Sequence, residues 1–205
     1  MCKKTCRNQQ GFTLTELLVA VAILVVITAL AAPTVWTAVS RFRLRGTADS
    51  IAGLLARGRA LAVQRNCTYV ARNTYNSTQD QETYYIEPDL AYCGGDSSLS
   101  AQDPQAVGAK GVRVVTTPTT TISTTVLGFQ PQPANTLPRF NSRGLPCVKL
   151  AGSACVTIDA SNRPVGFFYY LQDTRTSGSA GMVGVSVSPA GRIKVWSKSG
   201  SQWMK

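Results

Sequence analysis

Among its 205 residues the sequence holds no histidine, and it sets only ten acidic residues against 21 lysines and arginines. Histidine is the side chain that titrates near neutral pH without help, and neither a Gly-x-Ser-x-Gly elbow nor a phosphate-binding loop takes its place. General acid or base chemistry would need carboxylates of perturbed pKa, and nothing in the pattern marks any. The serines and aspartates are the residues that turns require. Neither catalysis nor a cofactor is expected. Six cysteines occur, but no Cys-x-x-Cys spacing, and no histidine can complete a mixed metal site. Charge is missing altogether from one stretch, because 24 consecutive residues separate Glu16 from Arg41 without an ionisable group.

That stretch is nearly all apolar, and a membrane helix needs roughly 20 residues, so one span is expected. It is longer than the ~7 to 15 apolar residues of a secretory signal, so removal by ordinary signal peptidase fits poorly. Ahead of it, "MCKKTCRNQQG" carries Lys3, Lys4 and Arg7 with no acid, which favours a cytoplasmic start and an outward-facing remainder. Arg41, Arg43 and Arg45 at the far end nearly balance that bias. Cys67, Cys93, Cys147 and Cys155 lie downstream, where four cysteines permit three pairings. The short interval in "CVKLAGSAC" favours Cys147 with Cys155, leaving Cys67 with Cys93 in an oxidising compartment. A zinc site of four thiolates is the rival arrangement.

Helical character extends past the span. In "AVSRFRLRGTADSIAGLLARGRALAVQRN" the apolar Val39, Phe42, Ile51, Leu54, Leu55, Leu61 and Val63 fall mostly three or four apart, as one helix face requires. Gly46, Gly53 and Gly58 each cost ~1 kcal/mol relative to alanine, so this half needs something to pack against. From Cys67 onward the texture becomes short β-like runs such as "ETYYIEP", "VGFFYYLQD", "GMVGVSVSP" and "GRIKVWS", separated by turn residues. The threonine-rich "TTPTTTISTTV" with its flanking "VLGF" reads as an edge strand. The expected fold class is α+β: a long N-terminal helix, part transmembrane and part amphipathic, packed on an antiparallel β-rich head.

The segment "GFTLTELLVAVAILVVITALAAP" closely resembles the type IV pilin signature, with a basic leader ending in glycine, a phenylalanine, a glutamate four residues on and a helix proline. The later "FNSRG" and "VSVSPAGRIKV" resemble the GspH/FimT-like branch of minor pilins and type II secretion pseudopilins. The resemblance implies residues 1–11 as a leader, 12–64 as the assembly helix and 65–205 as the head. It implies cleavage by a prepilin peptidase between Gly11 and Phe12, methylation of the new amine, an inner-membrane precursor with a periplasmic head, and assembly with other pilin or pseudopilin subunits into an extracellular pilus. Glu16 has a physical reading of its own. A carboxylate in hydrocarbon costs at least ~2.5 to 3.5 kcal/mol on insertion scales and needs a partner. The amine that cleavage would create on Phe12 supplies one, while snorkelling at the headgroups is the plainer alternative. Pro33 cannot bond the carbonyl of Ala29 and so favours a kink or a point of unwinding.

Charge is distributed unevenly: residues 41–72 hold seven arginines and Asp49, and residues 80–103 hold six acids and no base. Such poles can join subunits or attract nucleic acid. If "RIKVWSK" is a strand, alternation sets Arg192, Lys194, Trp196 and Lys198 on one face, a cationic stripe with an aromatic that suits phosphates and a stacked base. Some transformation-associated minor pilins of this branch bind DNA through a Gly-Arg-x-Arg motif, so DNA is a candidate partner. Gly191 and Arg192 match, and Lys194 keeps the charge of the second arginine without its guanidinium fork. The plainer alternative is a solvated edge strand protected by lysines, with its tryptophan packed on the head.

Overall fold

The computed structural model describes residues 13–149, 155–176, 181–200 and 202–204. The chain divides into two units, ending at Ala38 and starting at Val39, and one helix, α1 (Leu14–Gln64), contributes to both.

In the first unit the helix is opened by Thr13, whose Oγ1 accepts from the Glu16 amide at 3.3 Å. That is the forward half of a Thr-x-x-Glu capping box. Leu14–Ala32 is long and apolar enough to cross a membrane, and none of it is buried. Its hydroxyls turn back onto the helix. Thr28 Oγ1 donates to the carbonyls of Leu24 and Val25, both at 2.9 Å, and Thr34 Oγ1 donates to Ala31 at 2.7 Å. The helix continues through Pro33.

In the second unit α1 presents Ser40, Leu44, Thr47, Ala48, Ile51, Leu54, Leu55, Gly58 and Ala62 as buried residues, a stripe spaced by three and four. Two of the apolar positions expected on this face are elsewhere: Phe42 is 78% exposed and Val63 is also exposed, while Leu44 is 0% exposed. Alanine, serine and threonine fill the buried stripe between the larger side chains, because the helix lies too close to the sheets there for bulk. Gly58 shows the limit. A Cβ at this position would stand 2.9 Å from Ile86 Cδ1.

Eleven strands follow among the described residues, all antiparallel to their partners. One sheet has the order β3 (Gln105–Val107), β2 (Gln81–Pro88), β1 (Tyr69–Asn76), β5 (Arg139–Phe140), β6 (Pro146–Lys149), β7 (Cys155–Val156). The other runs β11 (Gln202–Met204), β10 (Ile193–Ser199), β9 (Met182–Val187), β8 (Phe167–Asp173), β4 (Val112–Val114). Leu44, Ile51 and Leu55 of α1 form one cluster with Ile86, Phe140, Phe167, Leu171 and Val185 of the two sheets. Each fully buried leucine of this kind contributes roughly 1.5–3 kcal/mol. The architecture is thus α+β, a long helix packed against antiparallel sheets.

The second sheet is covered on its other face too. Phe168, Tyr170, Met182 and Trp196 form a smaller cluster there with Ile122, which belongs to the threonine-rich segment. That segment is not the edge strand its β-branched residues suggested. It is irregular as far as Ser123, then makes one helical turn, α3 (Thr124–Leu127). Ser123 caps the turn by accepting from the Thr125 amide, and Gly128 ends it at φ 78°. Capping chemistry at both ends overrides strand propensity here. A second short helix, α2 (Leu90–Cys93), has Asp89 as its N-cap.

Candidate functional site

Gly11 and Phe12 lie outside the described residues. Four residues beyond Phe12, Glu16 sits exposed in the first turn of α1, where the helix dipole favours a carboxylate. Beyond it Leu17, Leu18, Val19, Val21, Ile23 and Leu24 are all exposed. An apolar surface of this extent on a lone chain requires lipid or protein around it. The Thr13 cap was not anticipated, although the Thr-x-x-Glu spacing announces it.

The four head cysteines form two disulfides, Cys67–Cys93 and Cys147–Cys155, with Cα separations of 6.1 and 5.4 Å. One ties the end of α1 to α2, and the other ties β6 to β7. Both pairs being bonded, these cysteines supply no thiolate for the four-thiolate zinc alternative. Among the described residues no group of histidine, cysteine or carboxylate side chains is arranged to hold a metal.

At the C-terminal end the alternation of β10 holds. Ile193 and Val195 pack toward the main cluster, and Trp196 belongs to the outer one. The expected accessible aromatic is absent from the stripe, however, because Trp196 is 3% exposed. Its Nε1 donates to Ser186 Oγ at 2.8 Å, and stacking on a base would require unpacking the outer cluster. Trp203 is likewise occupied, edge-on to Phe168 and Tyr170 at 5.5 and 5.9 Å between ring centres. Lys198 Nζ donates to Thr120 Oγ1 at 2.7 Å. Arg192 is exposed and Lys194 half-buried, and with Ser186, Ser188 and Phe129 they line a recess of about 250 Å³. Gly191 has a structural duty. It takes φ 75°, its carbonyl accepts from Arg59 Nη1 at 2.8 Å, and a Cβ there would stand 3.0 Å from the Gly144 carbonyl.

The acidic run of residues 80–103 does not form an exposed pole. Glu82, Glu87 and Asp89 are buried. Glu87 pairs with Arg72, Asp89 with Arg139 at 2.7 Å, and Asp80 with Arg113 at 2.8 Å. Glu82 accepts from the Tyr84 hydroxyl at 2.7 Å and the Val114 amide at 2.8 Å. Burial pushes the Glu87 carboxyl above the usual range despite the Arg72 guanidinium, whereas the Arg113 hydrogen bond holds Asp80 below it. Four acids of the run are thus taken up by arginines or by hydrogen bonds within the head, while Asp96 stays exposed.

Residues 6–32 match the Prokaryotic N-terminal methylation motif. No curated protein and no solved structure gives a match. The motif implies processing by a prepilin peptidase, and it belongs to structural, non-enzymatic proteins. The chain thus carries the N-terminal methylation motif of the type IV pilin and pseudopilin class, followed by the rest of a long helix and an antiparallel head.

Proposed function

We propose that the chain is a minor pilin of the GspH/FimT-like branch that enters a filament through α1 and primes or caps its assembly. One observation carries this reading: a methylation motif spans an apolar helical stretch, Leu14–Ala32, that is exposed along its length and bears a single carboxylate, Glu16. Residues 1–11 are the leader, and cleavage after Gly11 frees the Phe12 amine. Glu16 attracts that amine, of its own or a neighbouring subunit, more strongly in an apolar filament core than in water. Pro33 lets the helix loosen on leaving the bilayer. The precursor sits in the inner membrane with its disulfide-bonded head in the periplasm. Replacing Gly11 by tryptophan should leave precursor of full mass in the membrane fraction. Glu16→Ala should be processed yet fail to co-purify with sheared filaments. Normal maturation of the first variant would sink the assignment.

A second reading is favoured by the exposed Arg192 beside its recess and by the internal pairing of the head's acids. It makes the chain a DNA-binding minor pilin, with Arg192, Lys194 and Lys198 as phosphate contacts and no stacking by Trp196. Replacing Arg192 and Lys194 by alanine should weaken binding of duplex DNA and reduce the salt slope by about two. An unchanged slope excludes these residues. A secretion pseudopilin is the remaining alternative. It would leave pili intact on deletion and abolish export instead.

A further inference from the structure

Two glycine turns, one from each sheet, meet on α1. In the turn between β5 and β6 the Gly144 amide donates to the Asn141 carbonyl at 2.8 Å, and Asn141 Oδ1 accepts from the Arg143 and Leu145 amides at 3.0 and 3.1 Å. In the turn between β9 and β10 the Gly191 amide donates to the Ser188 carbonyl at 2.7 Å, and Ser188 Oγ accepts from the Arg192 amide at 3.1 Å. A Cβ on Gly144 would stand 2.9 Å from Val63 and 3.2 Å from Arg59 Cγ; one on Gly191 would stand 3.0 Å from the Gly144 carbonyl and 3.1 Å from Arg59 Cζ. The Arg59 side chain therefore lies against both turns, and α1 fixes the distance between them. Arg143 precedes one of these glycines and Arg192 follows the other, and both side chains are exposed. The ion pairs among the described residues are made by Arg72, Arg113, Arg139, Arg163 and Arg175, so neither of these two guanidinium groups has an acidic partner there.

We infer that Arg143, from outside the C-terminal strand, grips the phosphate backbone of duplex DNA together with Arg192. The inference rests on the DNA-binding reading above and extends its contact surface from β10 onto the other sheet. The amides of Arg143, Gly144, Gly191 and Arg192 are all used inside their own turns, so an anion arriving here meets side chains and not backbone. Next to Arg192 on β10 stands Lys194, a compact charge without a planar fork, whereas Arg143 offers a second guanidinium able to hold a phosphate through two N–H groups. Two forks carried on touching turns suit a ligand whose anionic groups recur at a fixed spacing. Duplex DNA is such a ligand, with one charge per roughly 1.7 Å of its axis. Carboxylates on a protein surface have no comparable repeat.

The test uses the full-length chain in a neutral detergent and a short labelled duplex, with affinity measured over roughly 50–200 mM salt. Arg143→Ala should reduce the salt slope by about one, as Arg192→Ala does, and the two together by about two. Arg143→Lys should keep the slope while weakening binding severalfold, because the charge stays and the fork goes. All of these variants should melt with the parent chain, since both side chains are exposed. Lys110→Ala is the control. Lys110 is exposed beside Ala109, whose amide donates to Thr47, and Thr47 is about 18 Å along α1 from Arg59 at 1.5 Å per residue. Its slope should be that of the parent. A slope that falls for Arg192→Ala and not for Arg143→Ala overturns the inference and leaves the DNA-binding reading standing. Failure of the parent chain to bind the duplex at low salt removes both. An equal loss of slope in Lys110→Ala, or equally tight binding of polyglutamate, would mean undirected charge attraction and overturns the inference as well.

Discussion

Asp159 collects donors on both oxygens, from its own five-residue turn and from Gln132. Its Oδ1 accepts from the Ser161 and Arg163 amides, each at 2.9 Å, and its Oδ2 from Arg163 Nη2 at 2.9 Å and Gln132 Nε2 at 3.1 Å. The Arg163 amide first, then its side chain and Gln132, hold the carboxyl down from 3.8 to about 2. A depressed carboxylate stabilises the fold above its unfolded value and loses that contribution as pH falls through its folded value. Asp159→Asn should therefore flatten the acid limb of the melting profile between pH 3.8 and about 2. Parallel profiles for the two proteins would show that the turn carries no such linkage. The same scale explains why the acidic run misled. Its acids are adjacent in sequence, but Arg72, Arg113 and Arg139, which take them up, are not. Thr13 is the opposite case, a cap written within four residues of its partner.

At the scale of elements, the glycines of α1 separate cleanly. Gly58 faces β2 so closely that any Cβ meets Ile86, whereas Gly53 has nothing within 4 Å of the same position. Gly58→Ala should destabilise the head by about 1–3 kcal/mol through overpacking. Gly53→Ala should stabilise it by up to ~1 kcal/mol, since it removes only the helix penalty of glycine. Chemical denaturation of the full chain decides both signs. Periodicity showed that this half is a helix with one buried face, and it placed Ile51, Leu54 and Leu55 correctly within it. It misplaced Phe42 and Val63 because size stood in for burial, while close approach to the sheets selects Ala48 and Thr47. The threonine-rich segment was misread for a related reason. Propensity counts β-branched residues, but Ser123 and Gly128 terminate a turn whatever lies between them. Trp196 was placed on the right face of β10. Its burial comes from Phe168, Tyr170 and Met182 on the neighbouring strands and from Ile122 of the threonine-rich segment, and no pattern within β10 carries that information.

For the whole molecule, the disulfides brace the irregular parts of the head. They close intervals of 26 and 8 residues, worth about 3.5 and about 2.5 kcal/mol respectively by loop entropy. Cys67→Ser with Cys93→Ser should lower stability more than Cys147→Ser with Cys155→Ser, and melting of the purified double variants gives the order. The reverse order would mean that native packing, not the unfolded chain, dominates. The N-terminal half was the most legible part because its signal is contiguous. The bonds of Thr28 and Thr34 to their own helix carbonyls give that half a property of a different kind. Apart from the Ala29 carbonyl that Pro33 cannot bond, such a segment meets its hydrogen bonds internally, so exchanging one apolar surrounding for another breaks none of these bonds. Between lipid and protein neighbours its partition is then set by shape, and Glu16 is left as the one ionisable side chain of residues 13–38 able to tell the two media apart.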